Sequence, residues 1–491
     1  MRDTAHFLLG RDSRLVRDVS PTLTVLEYLR TVEKLCGTKE GCAEGDCGAC
    51  TVALGEIDGD GVRYRAVNAR IMFTPALDGK QILTVEHLRG TDGSPHPVQS
   101  AMVEQHASQC GFCTPGFVMS LFALHHASSP DDRASVNDAL AGNLCRRTGY
   151  RPIVDAALAV GTGRADEGFT GDTAARLRAL DTGDRLELRH GGQTWIAPRT
   201  IAELAEVLLK HPDAVLLAGG TDVGLWVTKQ HRFLETIVTL DAVRDMAAIE
   251  EVDGTLRIGA SAVYEDVLAR LEALWPDVGI LLRRLGSRQI RNRGTIGGNI
   301  GNGSPIGDTP PVLIALDATL VLRRGGEERL LPVAEFFLGY RRTALAPGEF
   351  IARIDLPLPR LGWRFRCYKV AKRFDQDISA VCGAFNLELA DGVVRDIRIG
   401  FGGMAATPVH VPAVEQTLIG EPWTETNVHK AMNILDATLT PISDMRASAS
   451  YRRMVARNLL FKLFLETTTP AAPAWRAWHE RDPSLWAVHH A

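Results

Sequence analysis

Apolar and polar residues alternate through the opening segment, and "PTLTVLEYLR" after it has the spacing of a short amphipathic helix led by Pro21. A strand, "CTVAL", and a hairpin around "EIDGDGVRYRAVNAR" follow, the Asp-Gly steps of the second favouring a tight turn. This predicts a small β-rich domain wrapped on one helix, over residues 1–88. From about Pro97 the period becomes helical: "HPVQSAMVEQHA", "GFVMSLFALHHA" and "SVNDALAGNLC" repeat apolar residues every three or four positions, with Pro115 suited to a first helical turn. These make a helical domain over 89–162. The Gly- and charge-rich residues 163–187 read as a linker. Mixed strands and helices then fill 188–361, an α+β segment runs over 362–468, and 469–491 read as a loosely held tail.

Length and composition narrow the class. A chain of 491 residues calls for two to four domains, and 45% hydrophobic with 23% charged residues is a globular balance. A net charge of -4 provides no basic field for nucleic acid or an anionic membrane. No apolar run is long enough to span a bilayer, and "MRDTAHFLLGRDSRLV" lacks the apolar core of a signal peptide, so the expectation is a cytoplasmic protein.

Seven of the nine cysteines precede residue 150, and such clustering points to metal. Cys42, Cys47 and Cys50 form C-x4-C-x2-C, the spacing of plant-type [2Fe-2S] loops, with Gly41, Gly45 and Gly48 letting the backbone curl. Zinc is the structural alternative. Cys110 and Cys113, with Cys145, form a second set in helical surroundings, and two sets in adjacent small domains favour two clusters. Cys367 and Cys382 stand among apolar neighbours and read as buried core thiols. No G-x-G-x-x-G opens a βαβ unit. Two other glycine-rich stretches, "LLAGGTDVG" (Leu216–Gly224) and "TIGGNIGNGSPIGD" (Thr295–Asp308), read either as turns or as backbone cradles for a pyrophosphate.

"GTKEGCAEGDCGACTV", "HPVQ", "SQCGFCTPG" and "GNLCRRTGYRP" together resemble the iron-sulfur half of the xanthine dehydrogenase family of molybdenum hydroxylases, and the resemblance runs over about residues 5–465. It implies an α+β multidomain chain. The parts would be a β-grasp ferredoxin-like domain, a helical-bundle [2Fe-2S] domain, a vanillyl-alcohol-oxidase-type FAD domain and a C-terminal α+β flavoprotein domain. Cys42, Cys47 and Cys50 would hold the flavin-side cluster, and Cys110, Cys113 and Cys145 the molybdenum-side one. Gln109 would lie near the pterin of a large molybdopterin-binding partner, in a heterotetramer of two small and two large chains. FAD contacts fall on Leu216, Leu217, Ala218, Gly219, Gly220, Thr221, Asp222 and Val223. They continue at Leu285, Thr295, Ile296, Gly297, Gly298, Asn299, Asp308, Ile351 and Lys369. Asp308 would accept bonds from the nucleotide side, Lys369 would face the flavin, and Tyr340 and Asp377 would sit near a nicotinamide.

The implied activity is electron transfer from the molybdopterin partner through two clusters to FAD and on to NAD+, in oxidation of hypoxanthine and xanthine to urate. The corresponding part of an aldehyde oxidase, CO dehydrogenase or hydroxybenzoyl-CoA reductase is the alternative within the superfamily. A stand-alone NADH reductase or a regulatory module is the alternative outside it. One departure stands out. The family pattern places a fourth cysteine in "VNAC" and in "CRCTG", whereas this chain has Arg70 and Arg147. A guanidinium offers no lone pair to iron, and Cys36 is the only spare thiol nearby, so incomplete clusters are expected.

Overall fold

A computed structural model describes residues 1–90, 92–127, 132–160 and 172–468. The first sheet has the order β2-β1-β5-β3-β4. Its strands are β1 (Ala5–Leu9), β2 (Asp12–Val16), β3 (Thr51–Asp58), β4 (Gly61–Asn68) and β5 (Gln81–Leu83). β1 runs parallel to β5, and the other pairs are antiparallel. The short helix α1 (Val25–Glu27) starts at Thr24 rather than at Pro21. There the hydroxyl and carboxylate of Thr24 and Glu27 form a reciprocal capping box, which a proline cannot offer. Phe7, Leu26, Val52, Leu54, Val67 and Ile82 fill the space between helix and sheet.

Four helices follow: α2 (Pro97–Glu104), α3 (Thr114–Ala127), α4 (Arg133–Leu140) and α5 (Arg151–Ala159). Helix α3 is buried along nearly its whole length, and its core takes in Ala53, Tyr64 and Leu83 of the first sheet. The stretch read as a linker holds helix α6 (Thr173–Leu180), with Leu177 and Leu180 buried against Leu8. Residues 163–171 and the 469–491 tail lie outside the described residues.

Next come β6 (Leu186–His190), β7 (Gln193–Ala197), α7 (Ile201–Lys210), β8 (Val215–Leu217), α8 (Val223–Thr228) and β9 (Thr236–Thr239). The strands form a sheet in the order β6-β7-β9-β8. Leu186, Trp195 and Ile237 belong to the same apolar core as Phe7 and Phe73, so packing is continuous across the expected border at residue 188.

Met1–Val243 and Gly286–Gly294 make one compact unit; Arg244–Leu285 and the chain from Thr295 make another. The second unit opens with β10 (Ile249–Val252), β11 (Thr255–Gly259), α9 (Tyr264–Leu274) and α10 (Pro276–Arg283). The chain then contributes α11 (Arg288–Arg291) to the first unit. It resumes the second with α12 (Ile296–Gly301), α13 (Thr309–Ala315), β12 (Thr319–Arg324) and β13 (Glu327–Pro332). Helix α14 (Val333–Phe336) leads to the pair β14 (Phe337–Gly339) and β15 (Arg342–Thr343), then to β16 (Phe350–Pro357). An antiparallel sheet of order β10-β11-β16-β12-β13 results.

A meander completes this unit: β17 (Trp363–Val370), β18 (Val381–Ala390), β19 (Val393–Gly402) and β20 (Val409–His410). It packs on α15 (Pro412–Leu418), α16 (Glu425–Thr438) and α17 (Ala449–Thr468) through Phe385, Ile397, Phe401, Leu435 and Leu460. Among the described residues no helix is long and apolar enough to cross a membrane.

Candidate functional site

The first glycine stretch leaves β8 at Leu217 and enters α8 at Val223. Gly219 and Gly220 have φ of +72° and +83°, a left-handed pair that curls the chain. A Cβ on Gly219 would stand 1.7 Å from the Arg293 carbonyl oxygen, so the backbone approach excludes any side chain. At Gly220 the nearest atom, of Leu217, would be 3.5 Å away, an ordinary contact, so the dihedral rather than crowding demands glycine. Among the described residues none accepts from the N-H groups of Gly219, Gly220 and Thr221. Successive unpaired amides on a curled backbone make a concavity for an anion. Asp222 is held by the Trp226 indole at 3.0 Å. At the far end of α8, Lys229 donates to the Cys42 carbonyl at 3.0 Å and pairs with Glu44 at 3.1 Å.

The second glycine stretch is built differently. Thr295 caps α12, receiving the Gly298 N-H on its hydroxyl at 2.9 Å and the Asn299 N-H on its carbonyl at 3.0 Å. The N-H groups of Ile296 and Gly297 donate to the Ala262 and Ala260 carbonyls. These four amides are therefore satisfied inside the protein. Gly297 is glycine because a Cβ would lie 2.5 Å from the Ala260 carbonyl oxygen.

Asp308 and Lys369 meet directly. Lys369 Nζ lies 2.5 Å from Asp308 Oδ2, both residues being under 10% exposed, and the Ser379 hydroxyl donates to Asp308 Oδ1 at 2.5 Å. Arg284, buried against Phe374, donates to the carbonyls of Lys369 and Phe374 at 3.1 Å and anchors β17. Ser379 and Arg284 carried no spacing signal. Ile351 is buried in β16, and Tyr340 is exposed beyond β14. Asp377 accepts from the Arg373 N-H at 2.8 Å. Burial raises its pKa, but the Arg373 bonds outweigh that and hold it below the usual carboxylate range. A cavity of about 660 Å³ lies among α10, β17 and α17, lined by Trp275, Arg366 and Glu466, and shares Lys369 and Arg284 with this cluster.

In the first cysteine loop Gly45 and Gly48 have positive φ, and a Cβ on Gly41 would stand 2.7 Å from Cys47 Sγ. Cys42 Sγ accepts from the N-H groups of Glu44 and Cys47, each at 3.4 Å. The Cys47 thiol and these amides draw Cys42 down to about 5. Burial pushes Cys50 up to about 12. Cys36 donates to the Lys34 carbonyl.

In the second set Cys145 Sγ accepts from the Thr148 hydroxyl at 3.1 Å and from the N-H groups of Thr148 and Arg147 at 3.4 Å. Burial raises the Cys145 pKa, but these donors outweigh it and bring the thiol to about 7. The Gln109 amide donates to the Arg147 carbonyl at 3.2 Å. The two loops touch: the Leu144 N-H donates to the Cys47 carbonyl at 2.9 Å, and Asn143 to the Gly48 carbonyl at 3.1 Å.

Each cysteine set offers three thiols, with an arginine where the family pattern has the fourth. Among the described residues no group of three or more His, Cys, Asp or Glu is arranged to hold a metal ion. A four-thiolate cluster does not fit this donor set. The unpaired amides of Gly219–Thr221, in contrast, fit a diphosphate.

Comparison with known proteins agrees with this layout. Residues 84–158 match the [2Fe-2S] binding domain, 187–359 the FAD binding domain in molybdopterin dehydrogenase, and 366–467 the CO dehydrogenase flavoprotein C-terminal domain. Xanthine dehydrogenases of Drosophila subobscura and Emericella nidulans are each 32% identical over 92% and 94% of this chain. Aldehyde oxidase 1 of Bos taurus is 31% identical over 92% of it. The chain spans only 38% of the length of each of these three relatives. Among solved structures, CO dehydrogenase from Oligotropha carboxidovorans is 28% identical with a TM-score of 0.52, covering 54% of this chain and 94% of that one. Quinoline 2-oxidoreductase from Pseudomonas putida 86 is 25% identical with a TM-score of 0.51, covering 55% and 94%. The matched domains define a flavin- and iron-sulfur-type electron-transfer region. The chain belongs to the molybdenum hydroxylase family, as its [2Fe-2S]/FAD part.

Proposed function

We propose that this chain is the FAD-bearing electron-transfer subunit of a xanthine dehydrogenase, acting with a separate large molybdopterin-binding chain. The assembly oxidises hypoxanthine and xanthine to urate, with NAD+ as acceptor, in the cytoplasm. The carrying observation is the row of unpaired amides at Gly219–Thr221, which lies within the region matching the FAD-binding domain.

When bound, FAD supplies the group that exchanges hydride with a nicotinamide and single electrons with other carriers. The chain's own part is to bind and orient it. Amides of Gly219, Gly220 and Thr221 would donate hydrogen bonds to the diphosphate, and the pair Asp308–Lys369 keeps a fixed, charge-balanced polar point at β17. Leu285, Ile351 and Thr295–Asn299 complete the proposed contacts, and Tyr340 and Asp377 the nicotinamide side. Gln109 is proposed to meet the partner's pterin in a heterotetramer. No electron step is assigned to the cysteine sets, whose donors are one thiol short. Aldehyde oxidase 1 among the relatives favours a second reading with an aldehyde as substrate.

The test is flavin content. Gly220→Val puts a branched side chain beside the cradle, and bound FAD should fall at least about 10-fold with NADH-dependent dye reduction, the unfolding temperature being read alongside to report the strain at φ +83°. Gly297→Val is unsuitable, because its side chain collides with Ala260 whether or not a ligand binds. Full flavin in Gly220→Val would refute the assignment.

A further inference from the structure

We propose that Arg70 and Arg147 are structural replacements for the fourth cluster ligands: each staples its cysteine loop to neighbouring elements, so that the first unit folds and retains FAD without iron. The inference rests on the flavin reading only for the last clause. A cluster ties a loop to the segment carrying its fourth ligand, and at both sites a guanidinium makes that tie instead.

At the first site Arg70 follows β4. Its Nη1 lies 3.0 Å from Glu27 Oε1 and 3.3 Å from the Thr24 hydroxyl, the two residues of the α1 capping box. Its Nε donates to Glu40 Oε1 at 3.2 Å, two residues before Cys42. The side chain is 14% exposed. One arginine thus joins the end of a strand, the start of a helix and the cysteine loop, and its charge is balanced by two carboxylates. A cysteine at this position would leave Glu27 and Glu40 without their cation.

At the second site Arg147 Nη1 donates to Cys110 Sγ at 3.4 Å, and its N-H donates to Cys145 Sγ at 3.4 Å. Its carbonyl accepts from Gln109, beside Cys110. The residue, 37 positions beyond Cys110 in the chain, therefore bridges the two halves of the set. A cation beside thiol sulfurs is stabilised by them, and it repels the iron ions that a cluster would bring. The two arginines act at separate places but in the same sense.

The experiment measures iron, acid-labile sulfide, FAD and thermal unfolding on the full-length chain. The expected result is far below the four irons of two [2Fe-2S] clusters, with an unfolding temperature unchanged by an iron chelator. Arg70→Met should lower that temperature by about 2–4 °C, and Glu40→Gln, a milder change, by less. Arg70→Cys with Arg147→Cys, reconstituted with ferrous iron and sulfide, should gain iron and visible absorption. About four irons in the unaltered chain, a fall in unfolding temperature on chelation, or an unaffected Arg70→Met variant would each overturn the proposal. Loss of FAD alone would count against the flavin reading and leave the staples standing.

Discussion

Lys369 and Asp308 show how much one residue's meaning depends on its partner. Each is a flavin candidate by motif, yet in the fold their charges face each other, nearly excluded from water. Removing one member of such a pair strands the other, and the cost is about 3–5 kcal/mol. Lys369→Met should therefore lower the unfolding midpoint of the second unit strongly, while Lys369→Met with Asp308→Asn should regain most of the loss. A double-mutant cycle by urea unfolding measures the coupling, and additive effects would show that the pair does not act as one. Asp444 gives a pH-dependent case. Burial raises its pKa, but the N-H groups of Arg446 and Ala447 and the Arg452 guanidinium outweigh that and hold it at about 2. Its folded-state value lies below the ordinary 3.8, so the folded chain binds fewer protons than the unfolded one between these values. The contribution is present above about pH 4 and is lost as pH falls toward 2. Unfolding temperatures at pH 5 and pH 3 should differ less in Asp444→Asn than in the parent chain.

At the scale of elements, the segment Gly286–Gly294 is the connection that local patterns did not reveal. Gln289 donates to Asn143 at 2.9 Å and Ser120 at 3.1 Å, Arg291 pairs with Asp138 at 2.9 Å, and Asn292 donates to the Ala66 carbonyl at 2.8 Å. Arg293 pairs with Asp241 at 2.6 Å, and Lys80 stands 3.5 Å from the same carboxylate. One short stretch thus meets the first sheet, the helical domain and the β8–β9 region, all within one unit. Asn143 in turn holds the Gly48 carbonyl of the cysteine loop. Gln289→Leu should cost about 1–3 kcal/mol, because Asn143 and Ser120 lose a buried partner. A shift of the denaturant midpoint at unchanged slope would check it. The helices α2 to α4 and the β3–β4 hairpin were legible because their periods and turn residues are local. α6 was not, since its "TAARLRAL" sits in a Gly- and charge-rich stretch that masks its two buried leucines.

Across the whole molecule, the sequence by itself determined whatever depends on neighbours along the chain. The C-x4-C-x2-C spacing, the paired glycines at 219 and 220, the missing fourth cysteines and the succession of domain types all follow from residue order. Tertiary structure decided what those features do. It assigned Gly286–Gly294 to the first unit and spent the α12 amides on Thr295, Ala260 and Ala262. It also left Gly219–Thr221 unpaired and gave Arg70 its carboxylates. The physical reason is range. Hydrophobic period and turn chemistry act over a few residues, whereas a buried charge or amide is satisfied by whichever group packing brings to it. Arg70 and Glu40 are 30 positions apart, and Gln289 and Asn143 are 146 apart.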